Sequence, residues 1–158
     1  MPESTSALAI RKSLTVVVPV QTAFRVFTEE IGSWWPLTSK SVALEEAVDL
    51  VIEPRAGGRV YERTRDGEEH MWGEVLAWEP PLGLTFCWHP GRAAETGQEV
   101  EVRFTPTGDT TLVELEHRGW EQLVGPGGQI PEHFESGWDE ALARYVEAAT
   151  GAGTRSGS

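Results

Sequence analysis

One cysteine, Cys87, stands among 158 residues, so the chain closes no internal disulfide and has too few thiols for a cysteine-based structural zinc site. Basic residues are scarce as well: 13 lysines and arginines face 25 aspartates and glutamates, for a formal net charge of -12. Nucleic-acid affinity comes largely from neutralised phosphates, and a chain without a basic stripe cannot supply it. The same deficit disfavours an anionic membrane surface. No apolar run approaches the roughly 20 residues of a membrane span. The opening Met1-Pro2-Glu3-Ser4-Thr5-Ser6 lacks the basic-then-apolar order of a signal peptide. The expectation is a soluble, cytoplasmic protein with no nucleic-acid partner. The acids are scattered without a block of five, which marks a solvated surface and not an interaction tail.

What the chain has in quantity is strand-sized runs with firm punctuation. Between residues 48 and 88, four such runs are separated by Pro54-Arg55-Ala56-Gly57-Gly58, by Asp66-Gly67 and by Pro80-Pro81, the sequence form of an antiparallel meander. Period two groups His70, Trp72, Glu74, Leu76 and Trp78 in the third run, and Leu82, Leu84, Phe86 and Trp88 in the fourth. Upstream, Ile10, Leu14, Val16 and Val18 alternate with Arg11, Ser13 and Thr15 as a first strand, which Pro19 ends. Ala23, Val26 and Phe27 then share one side of a short helix, and a second short segment carries Trp34 and Trp35 up to the stop at Pro36. Downstream, Val100, Val102 and Phe104 turn through Thr107-Gly108-Asp109 into Thr111, Val113, Leu115 and His117, a hairpin.

Pro131 opens the one long helix, whose apolar stripe runs through Phe134, Trp138, Ala141, Leu142, Tyr145, Val146 and Ala149. Gly151 is expected to end it and leave 151–158 as a disordered tail, with 1–8 a flexible lead-in. Residues 9–150 then make a single α+β domain. Its curved antiparallel sheet of about seven strands finds one partner for its inner face, the long C-terminal helix, with two short helices after the first strand.

These residues resemble a known family. Ala23 with Val26-Phe27, Trp34-Trp35-Pro36, Glu53-Pro54-Arg55-Ala56-Gly57-Gly58-Arg59, and Gly73-Glu74-Val75 leading to Glu79-Pro80-Pro81 are similar to the helix-grip, START-like superfamily (SRPBCC). So are Leu84-Thr85-Phe86 with Trp88, the alternation Thr111, Val113, Leu115, His117, Gly119, and Gly137-Trp138 with Leu142. Within it the chain looks most like homologues of the activator of heat-shock protein 90 ATPase, over about residues 9–149. The resemblance implies a helix-grip fold with a cavity between sheet and terminal helix that often takes apolar molecules. It implies no fixed catalytic set, since members include lipid carriers, polyketide cyclases and co-chaperone domains.

The seven tryptophans admit two readings, core filler or pocket wall. As pocket wall, the ligand-binding candidates are Trp72, Trp78, Phe86, Trp88 and Phe104 on strands, with Phe134 and Trp138 on the closing helix. Trp35 and Trp120 lie on connections, where a ring can serve as a lid. His117 shares parity with Val113 and Leu115, so its imidazole points inward and needs a partner, either a loop backbone group or a ligand. Glu74 points into the aromatic row if no bulge intervenes, whereas a bulge or a wet strand end puts it in solvent. His117 and Glu74 are the candidates for acid–base catalysis. Cys87 alternates away from Phe86, and His70, His89 and His133 have no metal-ligand spacing.

Neither Gly57-Gly58 nor the glycine-rich 125–128 has the strand-to-helix context of a phosphate loop, and no Ser-His-Asp signature is present. No metal or cofactor is expected. Three functions remain: a binding module for an apolar or aromatic small molecule, a cyclase- or hydrolase-like enzyme using His117 and Glu74, and a protein-interaction module with a chaperone partner. A carrier needs volume and apolar walls, an enzyme needs the two titratable groups to converge, and an interaction module needs a wide exposed apolar patch. Fold alone does not choose among them.

Overall fold

The alternation becomes seven antiparallel strands. The computed structural model describes residues 9–36, 44–87, 98–119 and 132–156, with the side chains of all but 44, 132–135 and 152–156. In chain order these form β1 (Ala9–Val16), α1 (Val20–Thr28), α2 (Ile31–Trp34), a 3-10 turn (Leu44–Glu46), β2 (Ala47–Ile52) and β3 (Arg59–Thr64). There follow β4 (Glu69–Glu79), β5 (Gly83–Cys87), β6 (Glu99–Thr107), β7 (Thr110–Arg118) and α3 (Glu132–Ser156). The sheet order is β1-β7-β6-β5-β4-β3-β2, so a six-strand meander is closed by the first strand docking beside the last. The result is a helix-grip fold, as the family resemblance implies.

Register carries the apolar parity across the sheet. Ile10, His117, Val100, Phe86 and Val75 lie abreast on five neighbouring strands, and Leu14, Val113 and Phe104 form a further inner row. Against these rows α3 lays Trp138, Ala141, Leu142, Tyr145 and Ala149, all buried. Each large side chain removed from water there is worth about 1.5–3 kcal/mol gross. Polar ties fix the helix laterally. The Tyr145 hydroxyl donates to the Ala23 carbonyl at 2.8 Å, and Arg144 Nε donates to the Trp34 carbonyl at 2.7 Å. Phe24 and Phe27 on α1 meet Phe104 edge-on at 5.3 and 5.8 Å. Gly32 lets α2 lie against the far strand, since a Cβ there would collide with the Asp49 carboxylate.

Three expectations fail. Strand β4 is bulged twice, between its pairings at Tyr61/Val60 and again between Val75 and Ala77. Its inward positions are therefore Trp72, Val75 and Trp78, three apart and not two, while Glu74 and Leu76 face solvent. The cause is a close approach: a Cβ at Gly73 would run into the Cys87 carbonyl, so the strand bends around β5. The loop between β2 and β3 locks the bend, with Gly57 N–H donating to the Val75 carbonyl and Val75 N–H to that of Gly58, both at 2.8 Å. The second failure is at Gly151, expected to end the helix, where α3 instead continues to Ser156; residues 157–158 lie outside the described residues. Glycine lowers helix propensity but does not forbid propagation, and Gly151 is not among the glycines with positive φ. Leu82, placed on the inner face by parity, precedes β5 and is exposed. Residues 1–8, expected to be a flexible lead-in, lie outside the described residues.

Candidate functional site

Register brings the start of β1, the end of β7, the start of β6 and the end of β5 abreast, at Ala9, Arg118, Glu99 and Cys87. This is the end of the core from which the longest connections leave. Under it stand three indoles. Trp35, just past α2, meets Trp72 of β4 at 5.6 Å and Trp138 of α3 at 5.5 Å, with interplanar angles of 69° and 82°. Both contacts are edge-to-face, the arrangement the ring quadrupoles favour.

Each flanking indole is pinned by a buried polar side chain. Trp138 Nε1–H donates to His117 Nδ1 at 3.0 Å, and His117 Nε2 lies 3.1 Å from the Gln98 side-chain oxygen. An indole N–H can only donate, so Nδ1 accepts and Nε2 carries the proton. The pair fixes a neutral imidazole in one tautomer. Trp72 Nε1–H donates to Glu62 Oε1 at 2.7 Å. Both Glu62 and His117 are 0 % exposed. His117 is thus inward as its parity demands, with a side-chain amide and an indole among its partners.

Glu62 is the residue that sequence reasoning missed. The signal was available in β3, where Arg59 and Arg63 must face water and so force Val60, Glu62 and Thr64 inward. Arg59 stacks its guanidinium 4.4 Å over the Tyr61 ring on the outer side. Glu74, the carboxylate expected to converge with His117, instead faces solvent, and its amide N–H points at Cys87 Sγ at 3.1 Å.

The other candidates divide. Phe86 and Phe104 are buried on the inner face, in the His117 row and two rows along. Trp78 is half-buried and packs at 5.1 Å on Phe24, away from the indole cluster. Trp88 and Trp120, and the side chain of Phe134, lie outside the described residues. Burial holds the Cys87 thiol and the Tyr145 hydroxyl above their ordinary pKa values, so neither is a ready nucleophile or base. Among the described residues no three His, Cys, Asp or Glu side chains converge as a metal site, and no helix is long and apolar enough to cross a membrane.

A depression of about 430 Å³ lies elsewhere, on the outer face of β1, β7 and β6, lined by Arg11, Lys12, Glu101, Arg103, Glu114 and Glu116. Most of its charges are paired, Arg11 with Glu116 at 3.6 Å, Arg103 with Glu101 at 2.9 Å and Lys12 with Asp139 of α3 at 2.9 Å. That is a solvated lattice of both signs, not a site for an apolar ligand.

Comparison with known proteins points to the same architecture. Residues 17–149 match the family described as Activator of Hsp90 ATPase homolog 1-like protein. No curated protein matches the chain in sequence. Among solved structures, the chain is 31% identical to an anthrahydroquino-γ-pyrone synthase, Txn09, solved in complex with SUM. That match covers 94% of this chain and 99% of the other, with a TM-score of 0.59. The Aha1 dimer from Colwellia psychrerythraea gives a TM-score of 0.67 at 14% identity, covering 90% of this chain and 96% of that one. CalU16 from Micromonospora echinospora gives 0.60 at 22%, covering 93% and 79%.

Proposed function

The chain belongs to the family of Activator of Hsp90 ATPase homolog 1-like proteins, and from that premise we propose that it binds an aromatic, largely apolar small molecule where Trp35, Trp72 and Trp138 meet. The observation that carries the reading is the cluster itself. Three indoles gather beneath the end of the core where four strand termini lie abreast, with one acceptor-only and one amphoteric polar group beside them. Long connections on a rigid scaffold are where ligand contacts concentrate. The 31% identical relative, named for a fused-ring pyrone and solved in a complex, supports an aromatic ligand over a fatty one.

Trp35 sits between the other two rings, so entry of a ligand requires that it swing aside, which its place past the end of α2 permits. A bicyclic ligand of about ten heavy atoms, at roughly 0.5–0.8 kcal/mol per atom, then binds with Kd of about 1–200 μM. Equilibrium dialysis against fused-ring aromatics and fatty acids tests this. Saturable one-site binding of aromatics is expected, and no saturable binding of any aromatic overturns it.

Chemistry on the bound molecule is the second reading, favoured by the relative's being a synthase. His117 is the group placed for it, because its ring would be freed to take a proton once Trp138 withdraws its N–H from Nδ1. Mass spectrometry of a bound polycyclic ketone incubated with the protein and with His117→Ala checks it. Conversion by the wild type alone is expected, and equal rates with the variant refute a catalytic His117.

A further inference from the structure

Trp35 is held between Trp72 and Trp138 by its backbone as well as by its ring. The peptide that joins Trp34 to Trp35 is tied at both ends. Its N–H donates to the Ile31 carbonyl at 2.9 Å, closing the single turn of α2. Its carbonyl, one of those a helix end leaves without an intrahelical partner, accepts from Arg144 Nε at 2.7 Å. Arg144 comes from an exposed position of α3, 110 residues along the chain. The helix that sets Trp138 against the Trp35 ring thus also grips the backbone that carries that ring. Trp35 is left few ways to move. Its ring is 7 % exposed, with Trp34, Trp72 and Trp138 at 6.0, 5.6 and 5.5 Å, so it has little room to turn in place. Pro36 restricts the residue before it to the extended region, where Trp35 lies at ψ 135°. The backbone rotations that remain are those on the Trp34 side, and they move the peptide that Arg144 holds.

We propose that Arg144 is a positioning residue of the indole site: its hydrogen bond to the Trp34 carbonyl keeps the Trp35 ring in the seat that a ligand must take. The proposal rests on the reading that the indole cluster binds an aromatic ligand, and it names what governs entry. Swinging Trp35 aside breaks a charge-assisted hydrogen bond, so the open state is sparsely populated and apparent affinity is reduced by that fraction. Arg144 touches no ligand and acts through Trp35. Its removal therefore has a signature that a purely structural tie lacks, a ligand bound more tightly by a protein that has lost a contact. The gain arises in the free protein, so it is the same for every ligand that displaces the ring.

The test is equilibrium dialysis of 2-naphthol and 2-methylnaphthalene against the wild type and Arg144→Met, which keeps a long stem and loses the donor. The variant should bind both compounds about 3- to 10-fold more tightly, by a common factor. Unchanged or weaker affinity in the variant, or a gain for one compound alone, overturns the assignment and leaves Arg144 a tie between α3 and α2. No saturable binding of either compound to either protein overturns the aromatic-site reading itself, and this proposal with it. Should Arg144→Met not fold, Arg144→Ala gives the same readout, since alanine is the best helix former and the position is exposed.

Discussion

Replacing Trp138 separates two contributions that the structure places on one side chain. The indole is buried, meets Trp35 edge-on at 5.5 Å, and gives its N–H to His117 at 3.0 Å. Trp138→Phe keeps most of the ring but strips the donor, leaving a buried lone pair on His117 Nδ1. That unmet acceptor costs about 1–3 kcal/mol. Trp138→Ala also removes the ring and opens a cavity between α3 and the sheet, for a total of about 3–5 kcal/mol. Against a domain stability of about 5–15 kcal/mol the second loss is large. Urea unfolding followed by far-UV circular dichroism measures both, with the slope held constant as the sign that the unfolded state is unchanged. A cycle with His117→Leu isolates the hydrogen bond, because with the imidazole gone Trp138→Phe no longer orphans an acceptor. A coupling of about 1 kcal/mol or more is expected. Additivity within about 0.3 kcal/mol, or a loss below about 1 kcal/mol for Trp138→Ala, refutes the docking of α3 described here.

Three further perturbations follow from the outer face and the bulged strand. Burial alone would raise the Glu101 carboxyl, but the Arg118 and Arg103 guanidiniums outweigh it and hold its pKa below the ordinary value. A depressed folded pKa gives stability that is present above the unfolded value, near 4.5, and is lost as pH falls through the folded one. Arg118→Gln should therefore lose less stability than the wild type between about pH 6 and about pH 3, and identical acid profiles contradict the pairing. Gly73→Ala drives a methyl into the Cys87 carbonyl and should cost about 3 kcal/mol in urea unfolding, since relief parts β4 from β5; a cost below about 1 kcal/mol contradicts the bulge. Burial raises the Cys87 thiol, so its reaction with a disulfide reagent near neutral pH should be slower than that of free cysteine and should quicken on unfolding. A folded rate matching free cysteine is the contrary result.

How far the sequence disclosed this molecule depended on whether the governing contact was local. The hairpin of β6 and β7 was legible because Val100, Val102 and Phe104 keep strict parity around one turn. The stripe on α3 was legible because the i, i+4, i+7 spacing follows from helix geometry alone. The bulges of β4 were not, because they arise where Gly73 passes the Cys87 carbonyl, fourteen residues away in the chain. Parity broke there, and Glu74 went to solvent with it. His117 was placed correctly, yet its partners Gln98 and Trp138 lie on different elements and carry no joint pattern. Glu62 was hidden by the habit of reading a glutamate as surface. The two arginines flanking it in β3 determined its side, but its partner Trp72 lies on the next strand, with no joint pattern in the sequence.

The account's central claim is that a ligand enters at the indole cluster, and the indole N–H signals of the seven tryptophans in a heteronuclear NMR titration with 2-naphthol test it most directly. Trp35, Trp72 and Trp138 should shift together and saturate along one binding curve. Trp34, held to the Val26 carbonyl on the far side of Trp35, and Trp78, packed on Phe24, should move little. Saturating shifts confined to Trp34 or Trp78, or no saturating shift in any indole, contradict the claim.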